Sequence, residues 1–399
     1  MNVRTRTSLI AAALVAGIAA GPVAPALAHS PGHAPSHSSV SAHHPVPASD
    51  AKALRAAISD LDADGATAAL VRVGGKDGIW RGSAGVHDRI SQRPANPDAR
   101  FRAGSVTKVF TAAVVLQLAA EKKLDLDRPA RAYLPELIPA DYRDVTVRQL
   151  LNHTHGMPSP DFRGNDLEGW YANRFHVYTP QALVRSALAK KPEFTPGEQQ
   201  HYTNIGYLVA GLLIEKVTHD SYEHQVTRRI IKPLHLRGTY LPGTDPRIRG
   251  PHNIGYQVFP TADGTELRDA SVWSTTDTWS AGALISTTAD LERFVGALFN
   301  GRIVRGPLLK EMFTLPTLKK GTAMYSVGLT QWKMGGRQVW GKSGGRWGYN
   351  AGFAAPQDLS RTLVYSINSI DAKAEQRNRL IPKIAVAAFG PIELDKAAG

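Results

Sequence analysis

The sequence predicts an α/β (α+β) fold: an antiparallel sheet built from both ends of the chain, flanked by helices, with a mainly helical lobe inserted between them. Three observations carry this. Strand-patterned stretches lie at residues 67–74 and 78–86 near the start and at 338–342, 349–355 and 362–368 near the end. Between about residues 125 and 250 the pattern is helical, with long loops. The 399 residues, 43 % of them hydrophobic, suffice for a large core and two lobes.

Taken in order, residues 1–28 read as an export signal. Arg4 and Arg6 form a charged start, residues 9–20 an apolar stretch too short to span a bilayer comfortably, and Ala26-Leu27-Ala28 a small-x-small cleavage site. Residues 29–48 are rich in His, Pro, Ser and Ala and are expected to be a disordered tether. The rest, 49–399, is expected to be one folded domain, its α/β lobe formed by 49–124 and 255–399 and its helical lobe by 125–254. Ser49-Asp50 caps a helix to about residue 61, and a Gly-Lys-Asp turn joins the first two strands. A buried helix follows, closed by Glu121-Lys-Lys123. Thr179-Pro180 reads as an N-cap followed by proline at the first helical position. Apolar helices are expected at 203–217 and 222–231, another from Thr287 or Thr288 to Asn300-Gly301, and a terminal one at about 371–388.

Composition narrows the chemistry. The chain has no cysteine, which removes disulfides, thiolate metal sites and cysteine nucleophiles. Its net charge is +13, or about +11 without Arg4 and Arg6. With an export signal and no nucleic-acid motif, a cell-wall polyanion is the candidate partner, not a nucleic acid. No segment after the signal is apolar for long enough to cross a membrane, and the protein is expected to be a secreted monomer.

Three stretches carry candidate chemistry. In the first, Ser105 and Lys108 stand at i and i+3 on the first turn of the buried helix, so their side chains share a face. Helix-start N–H groups favour a developing anion at Ser105, and an amine with a depressed pKa one turn away can activate its hydroxyl. The spacing alone is weak, since Ser49 and Lys52 repeat it in the tether region. The second stretch, Pro196-Gly-Glu-Gln-Gln-His-Tyr202-Thr-Asn204, delivers Tyr202 and Asn204 to the mouth of another buried helix. A tyrosine beside two ammonium groups is expected to lose its proton more easily and act as a base. Asn204 can hold Lys108 and donate to a substrate carbonyl. In the third, Trp340-Gly341-Lys342-Ser343-Gly344-Gly345, the glycines admit a substrate backbone and Lys342 offers charge to a carboxylate. Ser343 also sits in a Gly-x-Ser-x-Gly pattern, but no histidine follows His252, which rules out a nucleophile elbow. His153 and His155, at i and i+2 with no nearby carboxylate, are read as a structural turn and not a metal site.

These stretches, in this order, resemble the class C β-lactamase-related, penicillin-recognising serine hydrolases, and most closely the secreted D-alanyl-D-alanine carboxypeptidases of actinobacteria. The resemblance runs from about residue 50. It includes Phe101-Arg-Ala-Gly-Ser-Val-Thr-Lys108, Leu124-Asp-Leu-Asp127, Tyr133-Leu-Pro135, Thr146-Val-Arg-Gln-Leu-Leu-Asn-His153, residues 207–217 and Trp279-Ser-Ala-Gly-Ala-Leu-Ile-Ser286. It implies that Ser105 is acylated, that Lys108 and Tyr202 share the proton transfers, and that Asn204, Lys342, Ser343, Gly344 and Gly345 bind substrate. The oxyanion hole would be the backbone N–H groups of Ser105 and Gly345, Trp279 would line the wall, and no metal or cofactor would be needed. The expected function is a D-alanyl-D-alanine carboxypeptidase on cell-wall peptides. The alternatives are a β-lactamase, a carboxylesterase, or a catalytically silent penicillin- or wall-binding protein. Two departures bear on specificity. Those carboxypeptidases have His-Thr-Gly where this chain has Lys342-Ser343-Gly344, and they carry an arginine for the substrate's terminal carboxylate. The matching stretch here, Gly328-Leu-Thr-Gln-Trp-Lys333, holds none, which leaves Lys333 or Arg346 as substitutes.

Overall fold

The computed structural model describes residues 44–374 and 378–393. The expected export signal and residues 29–43 of the expected tether lie outside the described residues. The last residues of that tether are held in the fold: Pro45 bridges Ile79, the Val46 N–H donates to the Ile79 carbonyl at 3.2 Å, and the Val46 side chain is buried. Helix α1 (Ala48–Ala57) starts directly after them.

The first hairpin is β1 (Ala66–Gly74) and β2 (Trp80–Gly85). After the short β3 (Phe101–Arg102), a 3-10 turn, Gly104–Val106, leads into α2 (Thr107–Ala120). The helical region contains α3 (Val147–Leu151), α4 (Leu167–Ala172), α5 (Pro180–Leu188), α6 (Ile205–Thr218) and α7 (Tyr222–Val226), which widens into a π-helical turn at Thr227–Ile231. Thr179 caps α5 as expected, its hydroxyl accepting from the Ala182 N–H. There follow the hairpin β4 (Tyr256–Thr261) and β5 (Gly264–Asp269), then α8 (Trp279–Gly282), β6 (Ile285–Ser286), α9 (Thr288–Phe299) and α10 (Gly306–Glu311). The chain closes with β7 (Thr330–Met334), β8 (Arg337–Arg346), β9 (Tyr349–Ala355), β10 (Thr362–Ser369), α11 (Leu380–Phe389) and β11 (Ile392–Glu393).

The main sheet has seven strands in the order β11-β7-β8-β9-β10-β1-β2, every neighbouring pair antiparallel. It is therefore built from both ends of the chain, as expected. Several features differ from expectation: α1 stops at Ala57 instead of near residue 61, and the hairpin β4–β5 and the short strands β3, β6 and β11 add to the expected strands. The terminal helix begins at Leu380, because Asn378 first ties the chain back to the Asp64 and Gly65 carbonyls and then caps Leu380 through its side-chain oxygen. β7 was not foreseen; Gly335 and Gly336, both at positive φ, turn it tightly into β8.

α2 and α6 are buried on nearly all sides: eleven of the fourteen residues of α2 and ten of the fourteen of α6. A helix apolar all round belongs inside a protein, and here the two form the core against one face of the sheet. Phe110 of α2 stacks on Phe294 of α9 with ring centres 3.8 Å apart. α1 and α11 cover the other face through Leu54, Leu380 and Ile384. Each such buried side chain contributes about 1.5–3 kcal/mol, so the first turn of α2 is fixed by the fully buried core. No helix among the described residues is long and apolar enough to cross a membrane.

Candidate active site

The site is assembled at the start of α2. Lys108 is fully buried, and its ammonium group donates to Ser105 Oγ at 3.2 Å, Asn204 Oδ1 at 2.7 Å and the Ala281 carbonyl at 2.9 Å. Asn204 occupies the N-cap position of α6, yet its side chain does not cap that helix. Its oxygen is committed to Lys108. The stretch 279–286 clamps the same turn from behind: Ala103 N–H donates to the Leu284 carbonyl at 2.8 Å, and Leu284 N–H donates to Thr107 Oγ1 at 3.0 Å.

Tyr202 arrives on the loop before α6, which is laced to the His153–Thr154 turn. Gly197 N–H donates to the Thr154 carbonyl at 2.8 Å and His201 N–H to the His153 carbonyl at 3.0 Å. The Tyr202 ring centre lies 5.1 Å from Lys108 Nζ and 4.6 Å from Lys342 Nζ. His153 and Tyr325 flank the ring at 4.4 and 5.2 Å. His153 adopts a left-handed backbone conformation (φ 63°) and its Nδ1 is buried without a hydrogen-bond partner. Its neighbour His155 closes the turn, Nδ1 accepting from the Met157 N–H at 2.9 Å, which fits the structural-turn reading of this pair.

Strand β8 presses onto the 3-10 turn. A Cβ on Gly344 would stand 2.1 Å from the Ala103 carbonyl oxygen and 2.7 Å from Ser105 N; one on Gly104, already at φ 52°, would stand 2.7 Å from Gly345 N. Only glycine fits both positions. This close approach brings the backbone of Ser105 beside Gly344–Gly345, where two N–H groups can serve one developing oxyanion.

Burial pushes the Lys108 amine well below the usual lysine range, and the like charges of Lys342, Lys373 and Arg346 push it further. All three of its hydrogen-bond acceptors are uncharged, so no carboxylate offsets that shift. Tyr202 moves the opposite way. Burial raises its pKa, Tyr325 adds to the rise, and only a hydrogen bond with Ser105 opposes it. The sequence reading of Tyr202 as an easily ionised base therefore needs correcting: desolvation outweighs the nearby ammonium groups. The resting pair is a neutral-prone amine and a protonated phenol. His153 is likewise kept neutral, by burial first and then by Lys108.

The structure brings Ser105, Lys108, Tyr202, Asn204, Lys342, Gly344 and Gly345 together, as the sequence indicated. Ser343 alternates to the other side of its strand from Lys342 and is half-buried at an apolar groove that includes Trp332 and Ile381. Trp279 does not line the cleft. Its indole packs on Tyr222 and over Gly211, and its Nε1 donates to Glu223 at 2.7 Å, pinning α8 to α6 and α7. Neither substitute for the missing arginine is placed to grip a carboxylate at the scissile end. Arg346 is buried and bidentate to Asp277, at 2.9 Å on each arm. Lys333 pairs in register with Gln338, four residues before Lys342, about 13 Å along the strand.

Beyond Gly345 the site opens into a cleft of about 320 Å³ that includes Asn204, Trp170, Trp273, Asp277, Trp347 and Lys373. Trp273 and Trp347 stack at 4.6 Å. Sequence reasoning missed this cleft. The run Gly345-Arg346-Trp347 after the strand motif was the one local signal for it.

A family model described as Beta-lactamase matches residues 54–386. The chain is 29 % identical over 215 residues to protein flp of Staphylococcus aureus (strain COL), covering 53 % of this chain and 41 % of flp, so it spans well under half the length of that relative. It is 28 % identical over 305 residues to penicillin-binding protein 4* of Bacillus subtilis (strain 168), covering 74 % of this chain and 66 % of that one. Among solved structures, a D-stereospecific amidohydrolase from Streptomyces sp. superposes with a TM-score of 0.74 at 33 % identity, covering 85 % of this chain and 98 % of the other. The D-amino acid amidase from Ochrobactrum anthropi SV3, at 23 % identity, shares the fold with a TM-score of 0.72, covering 84 % and 96 %.

Proposed function

The chain belongs to the beta-lactamase family of serine hydrolases, and on that premise we propose that it is an exported, D-stereospecific acyl-hydrolase that cleaves D-configured amides and peptides through an ester of Ser105. The observation that carries this reading is the buried Lys108 amine, joined to Ser105 and Asn204 and held by neutral acceptors. Preference for D substrates is taken from the similarity to the D-stereospecific amidohydrolase. Export is taken from residues 1–28.

In this reading neutral Lys108 takes the Ser105 proton as Oγ bonds to the substrate carbonyl carbon. Negative charge on the carbonyl oxygen is held by the N–H groups of Ser105 and Gly345. The C–N bond then breaks, and Tyr202 gives its proton to the departing amine. The proton on Lys108 restores Tyr202. Water repeats the sequence on the ester, releasing the acid and returning the proton to Ser105. Cell-wall D-alanyl-D-alanine peptides fall within this substrate class. A carboxypeptidase also needs a cation for the terminal carboxylate, and with Arg346 committed to Asp277 that duty falls to Lys342.

The test has two parts. Intact mass after exposure to benzylpenicillin should show an adduct on the wild type and none on Ser105→Ala. Matched D- and L-amino acid 4-nitroanilides should be cleaved with at least about a hundredfold preference for D, all of it lost in Ser105→Ala, since removing a serine nucleophile costs many orders of magnitude. Undiminished cleavage by Ser105→Ala would sink the mechanism, and equal cleavage of both enantiomers would sink the D-specific assignment.

A further inference from the structure

The cleft beyond Gly345 carries a charge balance that bond cleavage alone does not require. Behind its aromatic floor lie two buried guanidinium groups, Arg102 and Arg346, and one carboxylate, Asp277, which pairs with Arg346 alone. Arg346 takes both oxygens of that carboxylate. Arg102 reaches only the carbonyls of Pro246 and Ser271, at 2.6 and 2.7 Å. Its Nε and Nη1, and the Nε of Arg346, are buried without a partner. At the rim stand Lys373 and Arg163. Desolvation first, and then the Arg346 charge, lowers the Lys373 amine to about 8, with Asp277 opposing the shift. Asp277 is the one acidic side chain among the described lining residues, and it is already neutralised. Among the described lining residues a free ammonium group meets no unpaired carboxylate. A carboxylate meets an excess of cations, focused by low-dielectric aromatic walls.

The cleft also lies where a substrate reaches it. A chain running along β8 from Lys342 with its scissile carbonyl at Gly345 continues over Trp347, about 17 Å of strand in all. The stacked Trp273–Trp347 pair offers a flat apolar surface for whatever lies there.

We propose that this cleft is a substrate subsite for a flat or apolar group bearing a carboxylate of the D-glutamyl type, with Lys373 as the specificity-determining charge. The inference rests on the Ser105 acyl-hydrolase reading for its place in the reaction, but it is tested by binding. On Ser105→Ala, which cannot turn substrate over, the quenching of Trp170, Trp273 and Trp347 fluorescence reports occupancy. Two probes differ in one charge: N-benzoyl-D-glutamic acid α-amide and the neutral N-benzoyl-D-glutamine α-amide. The anionic probe should bind about five- to tenfold more tightly, the range of a partly exposed ion pair. Lys373→Gln in the same background should erase the difference, and Lys373→Glu should reverse it. Equal affinity for the two probes, or a preference unchanged in Lys373→Glu, overturns the proposal. Failure of the hydrolytic reading shows elsewhere, as no cleavage of any nitroanilide by the wild type, and leaves this binding preference standing.

Discussion

The first turn of α2 and the cleft beyond Gly345 are each built around a buried cation, and they hold it in opposite ways. Lys108 meets a hydroxyl, an amide oxygen and a backbone carbonyl. Arg346 meets a carboxylate on two arms. Neutral acceptors stabilise an ammonium charge less than a carboxylate does, so burial and the neighbouring cations win and the amine becomes a base. A bidentate carboxylate fixes the charge, and the guanidinium cannot lose it in any case. One region is arranged to move a proton and the other to keep a field in place.

Exchanging the acceptors tests that contrast where its effect is greatest. Asn204→Asp places a carboxylate 2.7 Å from Lys108 Nζ with almost no change of shape. The new charge raises the Lys108 pKa, because it stabilises the protonated form. The neutral amine then becomes scarce near pH 7. The expected result is a fall in kcat of about a hundredfold or more at pH 7, partly recovered as pH rises, with the alkaline-going limb of the pH profile displaced upward by one to two pH units, about 1.4 kcal/mol for each. A kcat and pH profile unchanged from wild type would show that Lys108 is not the base.

The reverse exchange acts on stability. Asp277→Asn gives Arg346 a neutral acceptor, but arginine stays charged and is left buried without its carboxylate. Breaking one side of a buried pair typically costs about 3–5 kcal/mol. Asp277 is about a quarter exposed, so the lower end is expected. Urea unfolding should show the loss, while benzylpenicillin acylation of the folded fraction continues. A stability within about 0.5 kcal/mol of wild type, the range of an ordinary surface change, would mean that water already carries this pair.

The two regions also differ in how much of them the sequence reveals. Ser105 with Lys108, Tyr202 with Asn204, and Lys342 with its glycines are legible because each group lies on one turn or one strand, where spacing fixes direction. Gly344 is informative for the same reason: the close approach it permits is to a specific carbonyl, that of Ala103. Arg346 and Asp277 are 69 residues apart, and Arg102 and Lys373 come from two further segments. No local pattern joins them. Trp279 was misread because its motif gives its backbone position but not the space beside Gly211 that draws the indole inward. Tyr202 was misread because neighbouring charges can be counted in a sequence and desolvation cannot. The same limit hid β7, whose five residues carry little apolar signal until the Gly335-Gly336 turn pairs them with β8.

The smallest effect lies in the acid limb of stability, and it belongs to the catalytic side alone. His155 is buried and its pKa falls to about 3, chiefly through desolvation. In the unfolded chain it titrates at the ordinary value near 6.5. Between these values the unfolded state binds a proton that the folded state refuses, so stability drops as pH falls below about 6.5, by up to about 1.4 kcal/mol per pH unit for one such group. His153 acts in the same direction, kept neutral by burial and by Lys108. Each has a replacement that removes the titration and keeps the local role. His155→Asn retains an acceptor for the Met157 N–H. His153→Phe retains an aromatic ring against Tyr202. Urea midpoints between pH 7 and 4.5 should fall less steeply in either variant than in the wild type, by about one proton's worth of slope. Asp277→Asn leaves both histidines in place, so it should leave the slope from pH 7 to 5 unchanged. If that variant flattened the slope and the histidine variants did not, the division between a proton-moving region and a charge-holding one would have to be drawn the other way round.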